Sequence, residues 1–326
     1  MFQELNEETW EFAISRDLRV GPPNTGKSQS LLTNERPTIV ISYPGEKGIT
    51  TFPKNEPGFK VFFWKEDDMS KNKPGVIIKE VETLTLDILA GKHGEFHSFC
   101  GDGLHKLYSH FWLREFNFLM QTKSELLGRP KKDGTIWSEE DFRLSAYGNE
   151  NYGASRSFMD YVTMVYQSSA KHVTFTCWEG VEMDAPELRS KSPTHIFPDF
   201  PGKLAKRIMG EFAIVLYASL TNPDPQGKQR AFWQLRPGGK VWGAGIKMPA
   251  SVRDNIPASI EQDWADLWLY LTGQKKLVRK SIPPVIARSA GLHPVPTYPG
   301  MVLVDKMSSP TGVVSKAIEH QADVKG

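Results

Sequence analysis

The run Gly21-Pro22-Pro23-Asn24-Thr25-Gly26-Lys27-Ser28-Gln29 carries the most specific chemistry in the chain. It satisfies G-x-x-x-x-G-K-[ST], in which glycines let the backbone curl until successive N–H groups face the oxygens of a phosphate. In that pattern Lys27 would reach the terminal phosphates and the Ser28 hydroxyl would ligate Mg2+. Gln29 to Thr33 can begin a helix whose positive end faces the anion. Hydrolysis of a bound nucleotide needs two more groups, an acid beside the Mg2+ and one that positions water. Asp102, which closes the apolar run Phe96-His-Ser-Phe-Cys-Gly-Asp102, suits the first role. Capping the helix that starts at Leu104 is compatible with it. Glu46, just past the run Thr38–Tyr43, suits the second role and equally suits a plain turn in Pro44-Gly-Glu-Lys-Gly48. The catalytic candidates are thus Lys27, Glu46 and Asp102. The nucleotide-binding candidates are Gly21 through Gln29, and the metal ligands Ser28 and Asp102.

Strands before and beside the loop must position these groups. Ile14 to Val20, the strand expected before it, is a weak one because it carries Arg16, Asp17 and Arg19. Pro37–Tyr43, Phe59–Trp64, Phe96–Cys100 and His172–Cys177 are short bounded runs of β-branched and aromatic residues and read as strands. Glu82–Gly91, Leu104–Met120, Phe158–Ala170 and Ile260–Leu271 read as helices from their apolar spacing. Phe212–Tyr217 and Ala231–Arg236 look like an antiparallel pair, while 124–152 and 186–203 read as long loops. Strands alternating with helices predict an α/β fold, a mostly parallel sheet flanked by helices with antiparallel strands added late. One domain over 1–273 is expected, followed by a basic and then proline-rich tail over 274–326.

Composition narrows the classes. Hydrophobic residues at 39% and charged residues at 24% exclude wholesale disorder. A formal net charge of +2 excludes a polycation, so any nucleic-acid contact must come from a local patch. No apolar run approaches the roughly 18–20 residues of a membrane helix. The acidic opening MFQELNEETW lacks the profile of a signal peptide. The only cysteines, Cys100 and Cys177, lie in apolar runs, which points to a reducing, cytoplasmic compartment. His93, His97, Cys100, His105 and His110 cluster without CxxC or HExxH spacing and are not read as a zinc site.

GPPNTGKS, TIVISYPGEKG, FCGDGLHKLY, HVTFTCWEG and IFPDFPGKLAKRIMGEFAIVLY together resemble the RecA-like P-loop ATPases. The closest likeness is to phage-encoded recombination ATPases associated with single-strand annealing, over about Ile14 to Leu271. The resemblance implies a RecA-like P-loop NTPase core using ATP and Mg2+, with Asp102 as the metal acid and Glu46 activating water. A polar residue sensing the γ-phosphate would fall within Thr176–Glu179, where neither asparagine nor glutamine stands. It further implies a homo-oligomer, ring or filament, whose trans-acting cation would be Arg236, Lys240, Lys247 or Arg253. Single-stranded DNA would bind loops near 124–152 and 180–207, with an annealing or single-strand-binding protein as a further partner in the host cytoplasm. The candidate DNA contacts are Arg129, Lys131 and Lys132 beside Trp137, and Arg189, Lys191, Lys203, Lys206 and Arg207. Cations beside aromatics suit single strands, and a solvated face is the alternative. The competing functions are a P-loop enzyme with another substrate, kinase-like or helicase-loading, and a non-hydrolysing nucleotide-dependent scaffold.

Overall fold

A computed structural model describes residues 15–54, 56–65, 74–141, 152–168, 170, 172–183, 193–201, 203–236, 244–248 and 250–275. These lie within one compact unit, Met1–Lys276. The tail over 274–326 falls, from residue 276 on, outside the described residues.

Strand β1 (Arg16–Gly21) leads into the glycine-rich loop, and helix α1 (Lys27–Ser30) follows it, tightening into a 3-10 turn at Leu31–Thr33. Then come β2 (Thr38–Ser42), a 3-10 turn at Gly48–Thr51, β3 (Phe59–Phe63), α2 (Pro74–Leu89), β4 (Ser98–Asp102) and α3 (Leu104–Thr122). Next are α4 (Tyr152–Tyr166), β5 (His172–Met183), β6 (Pro193–Pro198), α5 (Lys203–Glu211) and β7 (Ile214–Leu220). The series closes with β8 (Ala231–Gln234), β9 (Gly245–Ile246), α6 (Ala250–Arg253), β10 (Ser259–Glu261) and α7 (Trp264–Leu271).

The sheet runs β3-β2-β4-β5-β1-β7-β8-β10, with β6 on β5 and β9 on β7. From β3 to β7 every pairing is parallel, and β8, β9 and β10 join antiparallel. The expected α/β class, with its mostly parallel mixed sheet and late antiparallel strands, is what the backbone forms. Helices cover both faces. On one side Leu18, Val20, Phe99 and Phe175 pack with α2, α3, α4 and α5. On the other, Leu216, Ala218 and Trp233 pack with α7.

Several element boundaries differ from expectation. Helix α2 begins at Pro74 rather than Glu82, and α4 begins at Tyr152 rather than Phe158. Within the expected loop 186–203, Pro193–Pro198 is a strand that pairs antiparallel with the long second half of β5. Ile260 belongs to β10, and the last helix starts only at Trp264, where Asp263 caps it by accepting from the Ala265 and Asp266 amides. An Asp N-cap satisfies amides that would otherwise be orphaned, so the helix starts there and not at the first apolar residue.

The charged strand proves to be the centre of the sheet, with all six residues of β1 buried. Alternation puts Leu18 and Val20 into the apolar layer and Asp17 and Arg19 on the opposite face. There the Arg19 guanidinium donates to Asp17 Oδ2 at 2.8 Å, Ser30 Oγ at 2.9 Å and Asn34 Oδ1 at 2.5 Å. It also lies over Trp233 and Trp264, 4.7 and 5.4 Å from the ring centres. Asp17 Oδ1 accepts from His172 Nε2 and Thr174 Oγ1, both at 2.7 Å. Burial pushes the Asp17 carboxyl upward, but Arg19, His172 and Thr174 outweigh it and hold the group below its ordinary value. A chargeable strand is therefore buried because each of these polar groups finds a partner there. Truncating one member strands the others, so Asp17→Ala should cost about 3–5 kcal/mol of unfolding free energy in chemical denaturation. A loss under about 1 kcal/mol would place this cluster in the class of surface ion pairs.

Candidate active site

The carboxyl ends of β1, β2, β4 and β5 meet at one edge, where register aligns Gly21 with Trp178 and Ser42 with Asp102. Open α/β sheets hold ligands at such an edge. Gly21 is required by close approach, since a Cβ there would stand 2.4 Å from the Ala218 carbonyl of β7. Asn24 and Gly26, at φ 63° and 81°, adopt the left-handed conformation that curls the loop back on itself. Lys27, only 6% exposed, folds into that curl and donates to the Gly21 and Pro22 carbonyls at 2.8 and 2.5 Å. Burial lowers its pKa, against the raising fields of Cys177, Asp102, Glu46 and Glu179. Helix α1 and the 3-10 turn after it cover the expected run Gln29 to Thr33 and end there, where Asn34 is held in the core by Arg19 and Thr174.

Asp102 sits at 1% exposure at the end of β4. Its Oδ1 accepts from Ser28 Oγ at 3.0 Å and from Thr176 Oγ1 at 2.5 Å. Its Oδ2 is buried without a hydrogen-bond partner among the described residues. Burial first, and the nearby Glu46 carboxylate second, push the group up to about 6, with Thr176, Ser28 and Lys27 opposing. The 3-10 turn after Glu46 closes over this pair, since a Cβ on Gly48 would lie 2.7 Å from Ser28 Oγ and 3.0 Å from Asp102 Oδ2. Asp102 does not cap α3, whose N-cap is Gly103 and which receives no side-chain cap bond.

Glu46 serves its own turn and also borders the site. Its Oε1 accepts from the Lys47 and Gly48 amides at 3.0 and 3.2 Å. Its Oε2 crowds Gly103, where a Cβ would approach to 2.7 Å. The hard oxygens of Ser28 and Asp102, one carboxylate oxygen having no partner among the described residues, fit a divalent cation such as Mg2+. That ion takes one or two protein oxygens and completes its shell from phosphates and water. Among the described residues no group of three or more His, Cys, Asp or Glu side chains is arranged to hold a metal.

Sequence reasoning missed several neighbours. Thr176 was located as part of a possible sensor segment, yet its hydroxyl bonds Asp102 and also accepts from the Gly103 amide at 2.9 Å. Glu179 accepts a hydrogen bond from Tyr217 of β7. His105 stacks on Trp178 with ring centres 4.7 Å apart, and burial, then Lys106 and Lys27, lower its pKa to about 3. A cleft of about 590 Å³ opens beside the loop, lined in part by Gly26, Gln29, Lys228, Arg230 and Gln262. No local motif announces Tyr217, Lys228, Arg230 or Gln262, because each arrives from a distant element.

The remaining candidates are dispersed. Arg129 and Lys132 are exposed in a turn closed by the Pro130–Ile136 bridge. Lys131 is committed to an ion pair with Asp141 and lies over Trp137 at 5.2 Å, so it does not stand as an available phosphate contact. Lys203, Lys206 and Arg207 share the exposed side of α5, opposite buried Leu204, Ala205, Ile208 and Met209. Arg189 and Lys191 lie outside the described residues, as does Lys240. Of the other proposed trans-acting cations, Arg236 donates to the Arg253 and Ile256 carbonyls and Lys247 to the Gly210 carbonyl. Arg253 is exposed, 3.7 Å from Asp254. None of the described helices is long and apolar enough to cross a membrane.

The sequence matches no protein-family model, and a search of curated proteins yields no significant relative. The site's chemistry therefore rests on its geometry.

The raised pKa of Asp102 has a thermodynamic sign. A carboxyl that titrates near 6 when folded and near 3.8 when unfolded disfavours folding once ionised, so stability should rise as pH falls from about 6 towards 4. Asp102→Asn should accordingly raise unfolding free energy at pH 8, without added metal, by up to about 3 kcal/mol. Thermal melts at pH 8 and pH 5 check this, the variant's advantage at the second being about half that at the first.

Proposed function

We propose that the chain is a Mg2+-dependent ATPase of the RecA-like P-loop kind that assembles on single-stranded DNA. The observation that carries the reading is the Ser28–Asp102 pair, with one buried carboxylate oxygen unpartnered among the described residues, set beside Lys27 by strands β1 and β4. A mostly parallel sheet with the loop on its central strand supports it, as does the resemblance of the motifs.

In this reading the loop amides and Lys27 receive the phosphates, Lys27 exchanging the Gly21 and Pro22 carbonyls for phosphate oxygens. Ser28 and Asp102 would hold Mg2+, which when bound polarises phosphate oxygens as a Lewis acid. Thr176 holds Asp102 in orientation through Oδ1 and leaves Oδ2 for a cation. Glu46 accepts from two amides through one oxygen, which leaves the other to orient a water molecule. The exposed cations of α5, and Arg129 and Lys132, offer a phosphate-tracking surface. A second copy of the chain would supply the cation that stabilises charge in the transition state.

Three outcomes follow. Lys27→Ala should lower ATP turnover roughly hundredfold or more with the fold intact by circular dichroism. Turnover near wild type would remove the loop from the reaction. Glu46→Gln should lower kcat with nucleotide affinity nearly unchanged, because a water-orienting group acts in the transition state. Replacing Lys203, Lys206 and Arg207 together by alanine should flatten the log–log salt dependence of oligonucleotide binding by about two units, roughly 0.7 for each lost contact. An unchanged slope would return that helix face to solvent.

A further inference from the structure

The peptide linking Thr25 to Gly26 is one planar trans unit, so its C=O and N–H point in opposite directions. Gln262, directly after β10, donates through Nε2 to the Thr25 carbonyl at 2.8 Å and to the Phe232 carbonyl of β8 at 3.3 Å. The contact is close-packed: a Cβ on Gly26 would stand 2.8 Å from Gln262 Oε1 and 3.3 Å from the Ala231 Cβ. Gln262 is itself firmly mounted. Its amide donates to the Ala231 carbonyl at 3.3 Å, and the next two residues cap α7 and bind Thr33.

In the sheet, β8 and β10 lie on the β7 side of β1, whereas β4 with Asp102 lies on the β5 side. Pinning the Thr25 carbonyl towards the first flank turns the Gly26 N–H away from that flank. From this we infer that Gln262 is a positioning residue of the anion cradle, fixing the peptide whose N–H binds phosphate. The inference rests on the phosphate-loop reading and deepens it. It assigns to the late antiparallel strands a direct hold on that loop. Because Gln262 also lines the 590 Å³ cleft, an occupant of the cleft and the loop amide would be coupled through one side chain.

Binding of Mg·ATP and of inorganic tripolyphosphate, measured by calorimetry on the full chain and on Gln262→Leu, tests the assignment. A residue acting through the Gly26 amide weakens both ligands alike, by roughly three- to tenfold, since tripolyphosphate has no nucleoside for Gln262 to touch. Weakening of ATP alone would make Gln262 a contact to the nucleoside and overturn the inference, as would unchanged affinity for both. A wild-type chain that binds neither ligand would remove the phosphate-loop reading itself, a result distinct from the other two. Should Gln262→Leu fail to fold, Gln262→Met keeps the length and the neutral charge, presents no N–H donor to the Thr25 carbonyl, and yields the same comparison.

Discussion

The carboxylate of Asp17 is the constraint on which the centre of the molecule depends. It holds Arg19 from one side and His172 and Thr174 from the other, all of them buried. Through Arg19 the same cluster reaches Ser30 and Asn34, just past the glycine-rich loop. Strand and helix are thus tied to each other on both sides of that loop by charge-assisted bonds in the buried interior, where such bonds are strong and unforgiving. The aromatic layer of Trp233 and Trp264 over Arg19 extends the hold to the antiparallel strands.

With its ends fixed, the loop can keep conformations that cost energy. Left-handed Asn24 and a lysine ammonium drawn in from water are tolerable only where the surroundings are over-determined. The polar balance at the strand ends is uneven. Lys27 satisfies itself on loop carbonyls, while Asp102 retains a buried oxygen with no donor among the described residues. Buried unsatisfied acceptors are uncommon enough to call for an explanation, and a cation arriving with an anion supplies one. That pairing is what the proposed Mg·ATP chemistry would deliver.

Groups fixed by short-range pattern were legible in the sequence. Gly21 to Ser28, Glu46 and Asp102 each follow from a few neighbouring residues, and the structure gathers Lys27, Ser28, Glu46 and Asp102 at one edge. The interior of the sheet was legible where strands were apolar, as in Thr38–Ser42. Strand β1 looked weak because the partners that neutralise its charges are remote; His172 lies 155 residues from Asp17. Gln262 was invisible for the same reason, 237 residues from the carbonyl it binds. Strand β6 was hidden by its prolines, which an edge ribbon accommodates but which read as loop from composition. The DNA surface is the least determined by pattern, since the spacing of Lys203, Lys206 and Arg207 serves a solvated face as well as a phosphate backbone.

Steady-state ATP turnover by the unmodified chain, titrated with Mg2+ in the presence and absence of single-stranded DNA, bears most directly on the proposed role. Turnover that requires Mg2+ and rises when single-stranded DNA is added is expected. Absence of turnover under every condition, or hydrolysis indifferent to Mg2+, would contradict a role for Lys27, Ser28 and Asp102 in phosphate chemistry.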